Sequence, residues 1–378
     1  MIVPEDYAKQ LLARYGLATP PGGTARTPDE AVTVAETLGR AGVVKALIPS
    51  GGRGKAGGVK VCSCVDQVRE AAQLLLGHDV LGCPVERVLV EQVMPVAQEI
   101  YTCVVANAHT GTVDLLLSLA GGVDIEAMSQ TDEAALQRLV VEPGDVLPLH
   151  RVRRWLSQIG VEDGCAAELA HVLVTLYRVA ADLDAMLLEI NPLALVDSGS
   201  LVALDCKLEV DDNGLLRQPE LLRLYQSGLG PRELRAWELG VSFVPLDGDI
   251  GVITSGAGLG MATLDLLQRA GLSAANFLDT GGGISEALVK GALELVMEPP
   301  EVKGAIINLY GGINRMLEAA RGIVAALQHI EGDRPVVVKI LGNQQEEAWA
   351  MLEPEPNVHV IDVIQTETAV ARLAALVM

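Results

Sequence analysis

From residue 249 onward the chain repeats one pattern four times: a short apolar run, a glycine-rich turn, and a segment of helical periodicity. The apolar runs fall at 250–254, 275–279, 305–309 and 336–340. The turns are Ser255-Gly256-Ala257-Gly258-Leu259-Gly260, Gly281-Gly282-Gly283, Tyr310-Gly311-Gly312-Ile313-Asn314 and Leu341-Gly342-Asn343. Helices are expected at 261–270, 285–297, 317–329 and 346–352, with a last strand at 358–361. Successive βα units with tight turns leave few topologies besides a parallel, doubly wound sheet, because parallel neighbours need a crossover connection. Ligands of such sheets bind beyond the carboxyl ends of the strands, where all these turns gather. One glycine turn says little, since glycine also serves close packing. Several on one edge point to an anion or partner site.

The part before residue 208 follows a different grammar. Apolar positions Tyr7, Leu11, Leu12 and Tyr15 predict a helix over 4–15 stopped by Gly16, and Thr27-Pro28-Asp29-Glu30 caps a second helix with Pro28 at its first position. A strand at 43–48 leads into Ser50-Gly51-Gly52-Arg53-Gly54-Lys55-Ala56-Gly57-Gly58, and another strand begins at Val59. A Walker loop needs a helix at that point, so this is a glycine-rich hairpin. Its N–H groups can fold over a polyphosphate with Lys45, Arg53 and Lys55 supplying charge, or it is a flexible hairpin with solvated cations. A helix over 65–76, strands at 88–93, 98–105 and 113–118, a closing segment Gly121-Gly122-Val123-Asp124-Ile125-Glu126, and one or two helices over 148–183 follow. Glu91 and Glu99 stand at strand ends, where a carboxylate can accept from a ribose or an exocyclic amine.

The run Leu188-Glu189-Ile190-Asn191-Pro192-Leu193, a turn at Asp197-Ser198-Gly199-Ser200, and Leu201-Val202-Ala203-Leu204-Asp205-Cys206-Lys207 read as a β-hairpin. Alternation sends Glu189 and Asn191 to one face and Leu188, Ile190 and Pro192 to the other. With a three-residue loop, Asp205 is expected across from Leu193 and Lys207 across from Asn191, so that Glu189, Asn191, Asp205 and Lys207 share a face. Such oxygens beside a lysine suit a hard cation, Mg²⁺, that also holds phosphate. The pattern equally fits the solvated face of an edge hairpin.

Net charge is −21, from 28 basic and 49 acidic side chains, which argues against a nucleic-acid surface or an anionic-lipid surface. Aromatic residues make up 3% of the chain, too few for base-stacking platforms. An anionic ligand must then be met by local cations, backbone N–H groups or metal. The six cysteines (Cys62, Cys64, Cys83, Cys103, Cys165, Cys206) sit mostly in apolar company and read as reduced thiols, with Cys62 and Cys64 the one pair of weak metal-binding character. The N-terminal residues lack a leader pattern and no apolar run reaches about 18 residues, so the expectation is a cytoplasmic protein without a membrane span.

Six motifs, in order, resemble the β subunits of succinate–CoA ligase: residues 51–60, Glu189-Ile190-Asn191-Pro192-Leu193, residues 246–251, Gly256-Ala257-Gly258-Leu259, residues 275–279, and Tyr310-Gly311-Gly312-Ile313. The resemblance covers nearly the whole chain. It implies an ATP-grasp domain at 1–236, with an inner subdomain at 21–100, followed by a flavodoxin-like ligase domain at 237–378. It also implies an α-subunit partner that carries the CoA site and a phosphorylated histidine, and a heterodimer of the tricarboxylic acid cycle. By position, Lys45, Gly52, Arg53, Gly54, Glu91 and Glu99 match contacts to ATP or GTP, and Asn191 and Asp205 match the Mg²⁺ ligands. Glu189 matches a carboxylate near the phosphohistidine, and Ser255, Gly311, Gly312, Ile313 and Asn314 match the loops that meet the dicarboxylate.

Three positions depart from the family pattern: Ser255 stands where Asn is usual, polar Asn314 where succinate-using members carry an apolar residue, and Pro49 where His is common. These departures bear on the acid and on the nucleotide loop, and leave the metal ligands intact. A malate or other hydroxydicarboxylate ligase is the alternative of the same class. A catalytically idle scaffold subunit is the alternative of another class, opposed by the retained Glu189, Asn191 and Asp205. None of the six histidines lies in a motif loop, which fits a phosphate-carrying histidine on another chain.

Overall fold

Alternating β-branched and small residues between capped helices give two compact units, residues 1–224 and 225–378, in the computed structural model of the chain. The structure describes residues 1–378 except 40, 50, 123–135 and 162, and the side chains of 163 and 164. Ser50 and residues 123–126, singled out above, lie outside the described residues. Among the described residues no helix is long and apolar enough to cross a membrane.

The first unit is built on two antiparallel sheets. One has the order Gly22–Ala25, Val88–Glu91, Gly42–Ala46, Val59–Cys62. The helices Pro28–Thr37 and Val65–Leu75 supply Ala31, Ala35, Val68 and Ala72 to a core shared with Val44, Ala46, Val88 and Val90 of that sheet. The Thr27 hydroxyl accepts from Glu30 N, and the Glu30 carboxylate reaches back to Arg26 N, as the capping sequence predicts. The second sheet runs Ile2–Val3, Lys207–Val210, Ala185–Val196, Val96–Asn107, Thr112–Ser118, Gln137–Val141, with Leu201–Ala203 also paired to Ala185–Val196.

Ala185–Val196 is therefore an interior strand with partners on both sides, which excludes the edge-hairpin reading. Its hairpin closes through Val196 N–H to Ser200 O at 3.0 Å, leaving three loop residues as expected, but the register differs from the expectation by two. Leu193 pairs with Ala203 and Glu189 with Lys207, which brackets Asn191 level with Asp205. The closing pair sets the register, and even offsets keep the shared face. Strict alternation fails at one point: the ladder to Val96–Asn107 shifts between Ile190 and Leu193, where the Asn191–Pro192 peptide is cis. Pro192 lines the same cavity as Asn191 instead of facing away.

In the first helix, Glu5–Arg14, the buried positions are Glu5, Ala8, Lys9, Leu11 and Leu12, so two charged residues occupy the stripe expected from Tyr7, Leu11, Leu12 and Tyr15.

The second unit holds a six-stranded sheet in the order Ser242–Pro245, Asn276–Asp279, Ile250–Thr254, Gly304–Arg315, Val336–Asn343, Val358–Val360. All neighbours are parallel except the antiparallel Ser242–Pro245 edge. The parallel strands follow the flavodoxin-like order with its switch point between Ile250–Thr254 and Gly304–Arg315. Helices Glu286–Met297, Met316–Leu327 and Gln345–Leu352 pack on one face and Ala257–Arg269 and Thr366–Val377 on the other.

Two glycine turns differ from expectation. Helix Ala257–Arg269 begins four residues early, and Gly260 lies inside it because a Cβ there would meet the Phe277 ring at 2.5 Å. The turn expected at 310–314 is instead a continuation of the strand, paired Gly311 to Gly342 and then Arg315 to Asn343, with Gly312, Ile313 and Asn314 as the excursion between. Pairing persists because a Cβ on Gly342 would stand 2.0 Å from Gly311 O, a distance only glycine permits. The Ser242–Pro245 edge and the terminal helix Thr366–Val377 were not anticipated from sequence.

Between Ile250–Thr254 and Asn276–Asp279 the fully buried Asn276 amide replaces ladder bonds, accepting from Val252 N at 3.1 Å and donating to Val252 O at 2.7 Å. Asn276→Leu leaves both backbone groups buried without partners, so unfolding in urea is expected to show a loss of at least about 2 kcal/mol.

Candidate active site

Glycine at 51, 52 and 54 lets the connection between Gly42–Ala46 and Val59–Cys62 fold tightly over one end of the first unit, with Gly52 at φ +77°. Beneath it is a cavity of about 1010 Å³ lined by Gly52, Arg53, Gly54, Glu99, Glu189, Asn191 and Asp205 among other residues. Seven of the residues singled out from sequence are thus gathered in one place. Lys55 and Lys207 line it as well.

Lys45 and Glu91 stand behind the wall, 7% and 2% exposed. Lys45 Nζ lies 2.7 Å from Glu91 Oε2 and 3.1 Å from Glu5 Oε1, and donates to Leu204 O at 2.5 Å. Lys9 Nζ lies 2.6 Å from Glu91 Oε1 and 2.8 Å from Glu5 Oε1, and donates to the same Leu204 carbonyl at 2.7 Å. Arg53 spans the wall: Nη1 donates to Ala46 O at 2.9 Å, and Nη2 pairs with Glu5 and with Asp205 Oδ1, the latter at 2.9 Å. Three cations and three carboxylates therefore interlock. Glu5 and Lys9 were missed in the sequence, although an i, i+4 acid–base pair on the apolar stripe of a helix is a legible signal.

These bonds explain the gap in the hairpin between Ala203 and Lys207. The Leu204 carbonyl turns to the two lysines, and Asp205 Oδ1 accepts from Cys206 N at 2.8 Å, so neither enters a ladder. Opposite, Asn191 Oδ1 accepts from Gly122 N at 2.9 Å. A Cβ on Gly122 would fall 1.8 Å from Glu99 Oε2, so a glycine is required for the Glu99 carboxylate to occupy its place.

Charge states follow from this packing. Burial would raise the Glu5 carboxyl, but Lys45, Lys9 and Arg53 together hold it well below the ordinary carboxylate range. Burial pulls Lys45 down, and Glu5, Glu91 and Asp205 more than reverse it, so its ammonium is firmly retained. Asp205 is raised by burial and by Glu5, against the opposing pull of Arg53, Lys45 and Lys9. Burial likewise pushes the Cys206 thiol up and the Cys103 thiol up to about 12, so neither is a nucleophile at neutral pH.

The hydrogen bonds of Asp205 to Arg53 and Cys206 N run through Oδ1, and its side chain is 39% exposed. A carboxylate and an amide oxygen lining one cavity, with cations beside them, are donors that would suit a hard cation such as Mg²⁺. Among the described residues no group of three or more His, Cys, Asp and Glu is placed to hold a metal. Cys62 is buried and Cys64 exposed.

In the second unit the Ser255 hydroxyl donates to Tyr310 O at 3.2 Å and accepts from Tyr310 N at 2.9 Å, joining the two strand ends that flank the switch point. Asp279 Oδ1 accepts from Gly256 N at 2.6 Å and Gly281 N at 2.8 Å and so fixes the turn before helix Ala257–Arg269. Beside it the Gly312, Ile313 and Asn314 excursion projects, with Ile313 95% exposed. The structure thus brings Ser255 to the Tyr310–Gly311 strand.

Residues 3–195 match the family model of the ATP-grasp domain and residues 253–371 that of the CoA-ligase. The chain is 42% identical over 353 residues to the β subunit of succinate–CoA ligase [GDP-forming] of Thermus thermophilus, covering 93% of each chain. It is 41% identical over 350 residues to the β subunit of succinate–CoA ligase [ADP-forming] of Roseiflexus sp. (strain RS-1), covering 92% of each. Among solved structures, ATP citrate lyase from Methanothrix soehngenii in complex with citrate and coenzyme A has a TM-score of 0.78 at 19% identity over 99% of both chains, a likeness of fold.

Because Glu5 is depressed on folding, its contribution to stability is complete above the ordinary glutamate value of about 4.3 and is lost as pH falls towards the folded value. Glu5→Gln should cost about 3–5 kcal/mol at pH 7, since it leaves buried cations uncompensated. In urea titrations the gap from wild type should narrow below about pH 4.3.

Proposed function

The chain belongs to the succinate–CoA ligase β-subunit family, and from that premise we propose that it is the nucleotide-binding subunit of an ADP- or GDP-forming acid–CoA ligase that works with an α subunit. The observation that carries this reading is the single cavity holding Gly52, Arg53, Gly54, Glu99, Glu189, Asn191 and Asp205. Nucleoside triphosphate transfers its γ-phosphoryl group to a histidine nitrogen of the partner, releasing the diphosphate. The phosphoryl group then passes to the acid carboxylate, and the CoA thiol displaces phosphate as its proton is lost.

Each residue has a role in keeping with its place. Arg53, Lys45 and the backbone N–H groups of Gly52 and Gly54 receive phosphate oxygens and Glu99 receives donors of the nucleoside, whereas Glu91, expected at the nucleotide, has both carboxylate oxygens held by Lys9 and Lys45 behind the wall and orients Lys45 instead. Asn191 and Asp205 would hold Mg²⁺, which when bound supplies charge neutralisation at the phosphates. Glu189, paired across the hairpin with Lys207, presents a carboxylate to the arriving phosphohistidine. Ser255, Gly311, Gly312, Ile313 and Asn314 meet the carboxylate substrate. Catalysis of this kind is positioning plus electrostatics, with little covalent work for this chain.

The acid is succinate in the first reading. The Asn314 amide beside Gly311, in the excursion flanked by Ser255, favours a second reading in which a substrate hydroxyl is hydrogen-bonded, as in malate. Steady-state assays of the chain co-expressed with its α subunit, over succinate and malate and with ATP and GTP, decide between them. Turnover of neither acid, together with no binding of Mg–nucleotide by calorimetry, would favour the idle scaffold.

Asp205→Ala is expected to leave the two-chain complex assembled on gel filtration and to lower turnover by about two to three orders of magnitude, the loss typical of one removed charge-stabilising group. Activity near wild type would remove Asp205 from the metal site.

A further inference from the structure

Glu5 and Lys9 stand one turn apart on the buried face of helix Glu5–Arg14, and their charged groups meet at 2.8 Å. Their other partners lie outside that helix, on the elements that build the cavity. Glu5 accepts from Lys45 and Arg53, carried by strand Gly42–Ala46 and the glycine-rich connection after it. Lys9 donates to both oxygens of Glu91, at 2.6 and 2.8 Å, and to the carbonyl of Leu204, the residue immediately before Asp205.

We infer that Glu5 and Lys9 are positioning residues for the Mg–nucleotide: Glu5 shares the charge of Arg53 so that Asp205 stays available to the cation, and Lys9 anchors the segment that carries Asp205. The inference rests on the reading of the cavity given above and extends it to a helix that carries none of the residues assigned there.

The charge arithmetic supports it. With Glu5 present, the Arg53 guanidinium divides between two carboxylates, Glu5 and Asp205 Oδ1. Without it, Asp205 is the one carboxylate partner left to Arg53 among the described residues, and a guanidinium held there competes directly with a divalent cation for the same oxygens. Lys9 acts on the other side of Asp205. Leu204 O accepts from Lys9 and Lys45 instead of from a strand, so the Asp205 backbone is held by these two ammonium groups where the ladder is interrupted. An oxygen ligand displaced by even a fraction of an ångström is costly for Mg²⁺, whose octahedral geometry is strict.

The test is isothermal titration of the full-length chain with Mg–ADP, and with Mg²⁺ at fixed ADP, for wild type, Glu5→Gln and the double variant Glu5→Gln/Lys9→Met. The double variant removes one charge of each sign, so the buried cluster stays balanced if the single variant does not fold. Half-saturating Mg²⁺ is expected to rise roughly tenfold or more in either folded variant, the usual cost of losing a group that orients a metal ligand. Circular dichroism at the titration temperature should show an unchanged native fraction, which separates positioning from a purely structural role. If wild type binds Mg–ADP and the folded variants bind it with the same Mg²⁺ dependence, the inference is overturned and the cavity reading stands. If wild type itself binds no Mg–ADP, both are overturned.

Discussion

The interaction on which the first unit depends is the buried interlock of Lys9, Lys45 and Arg53 with Glu5, Glu91 and Asp205. Burying five charges and half-burying a sixth, Asp205, costs far more in lost hydration than their attraction returns unless every partner is placed, so the arrangement tolerates little displacement. The six members come from five stretches: the first helix, which carries both Glu5 and Lys9, a strand interior, the glycine-rich connection, a strand end and the broken hairpin. The cluster therefore fixes five stretches relative to one another. That requirement places two cations and one partly exposed carboxylate at a single wall, where the proposed Mg–nucleotide would bind.

Such an interlock is also poised to change partners. Arg53 and Lys45 spend their charge on carboxylates in this structure, and a polyphosphate offers them oxygens of the same kind at comparable geometry. A divalent cation would relieve Asp205, whose burial and nearness to Glu5 raise its carboxyl above the usual range. Anion and cation together therefore suit the wall better than either alone, which is the electrostatic logic of a Mg–nucleotide site in a chain of net charge −21.

The second unit was the more legible part of the sequence. Runs such as Ile250-Gly251-Val252-Ile253-Thr254, followed by glycine and a helical stripe, admit few folds, and the parallel sheet follows from connection length alone. What the sequence hid there was glycine's reason for being present. Gly260 serves helix packing on Phe277, and Gly342 serves backbone contact with Gly311, and both look like loop glycines until the partners are known. In the first unit the face shared by Glu189, Asn191 and Asp205 was legible because alternation survives a register error of two. The register itself was not, since it depends on which residues close the turn. Glu5 and Lys9 escape apolar periodicity, because a buried ion pair occupies the same stripe without contributing to hydropathy.

The central claim is that one wall of the first unit clamps a divalent ion against a polyphosphate through Asn191 and Asp205. Its most direct test is a crystal structure of the chain with Mn²⁺ and a non-hydrolysable nucleoside triphosphate, with the metal located by anomalous scattering. The account predicts one peak within coordination distance of the Asn191 amide oxygen and the Asp205 carboxylate, with phosphate oxygens completing the shell. A peak elsewhere in the chain, or a bound nucleotide whose metal touches neither side chain, would contradict it.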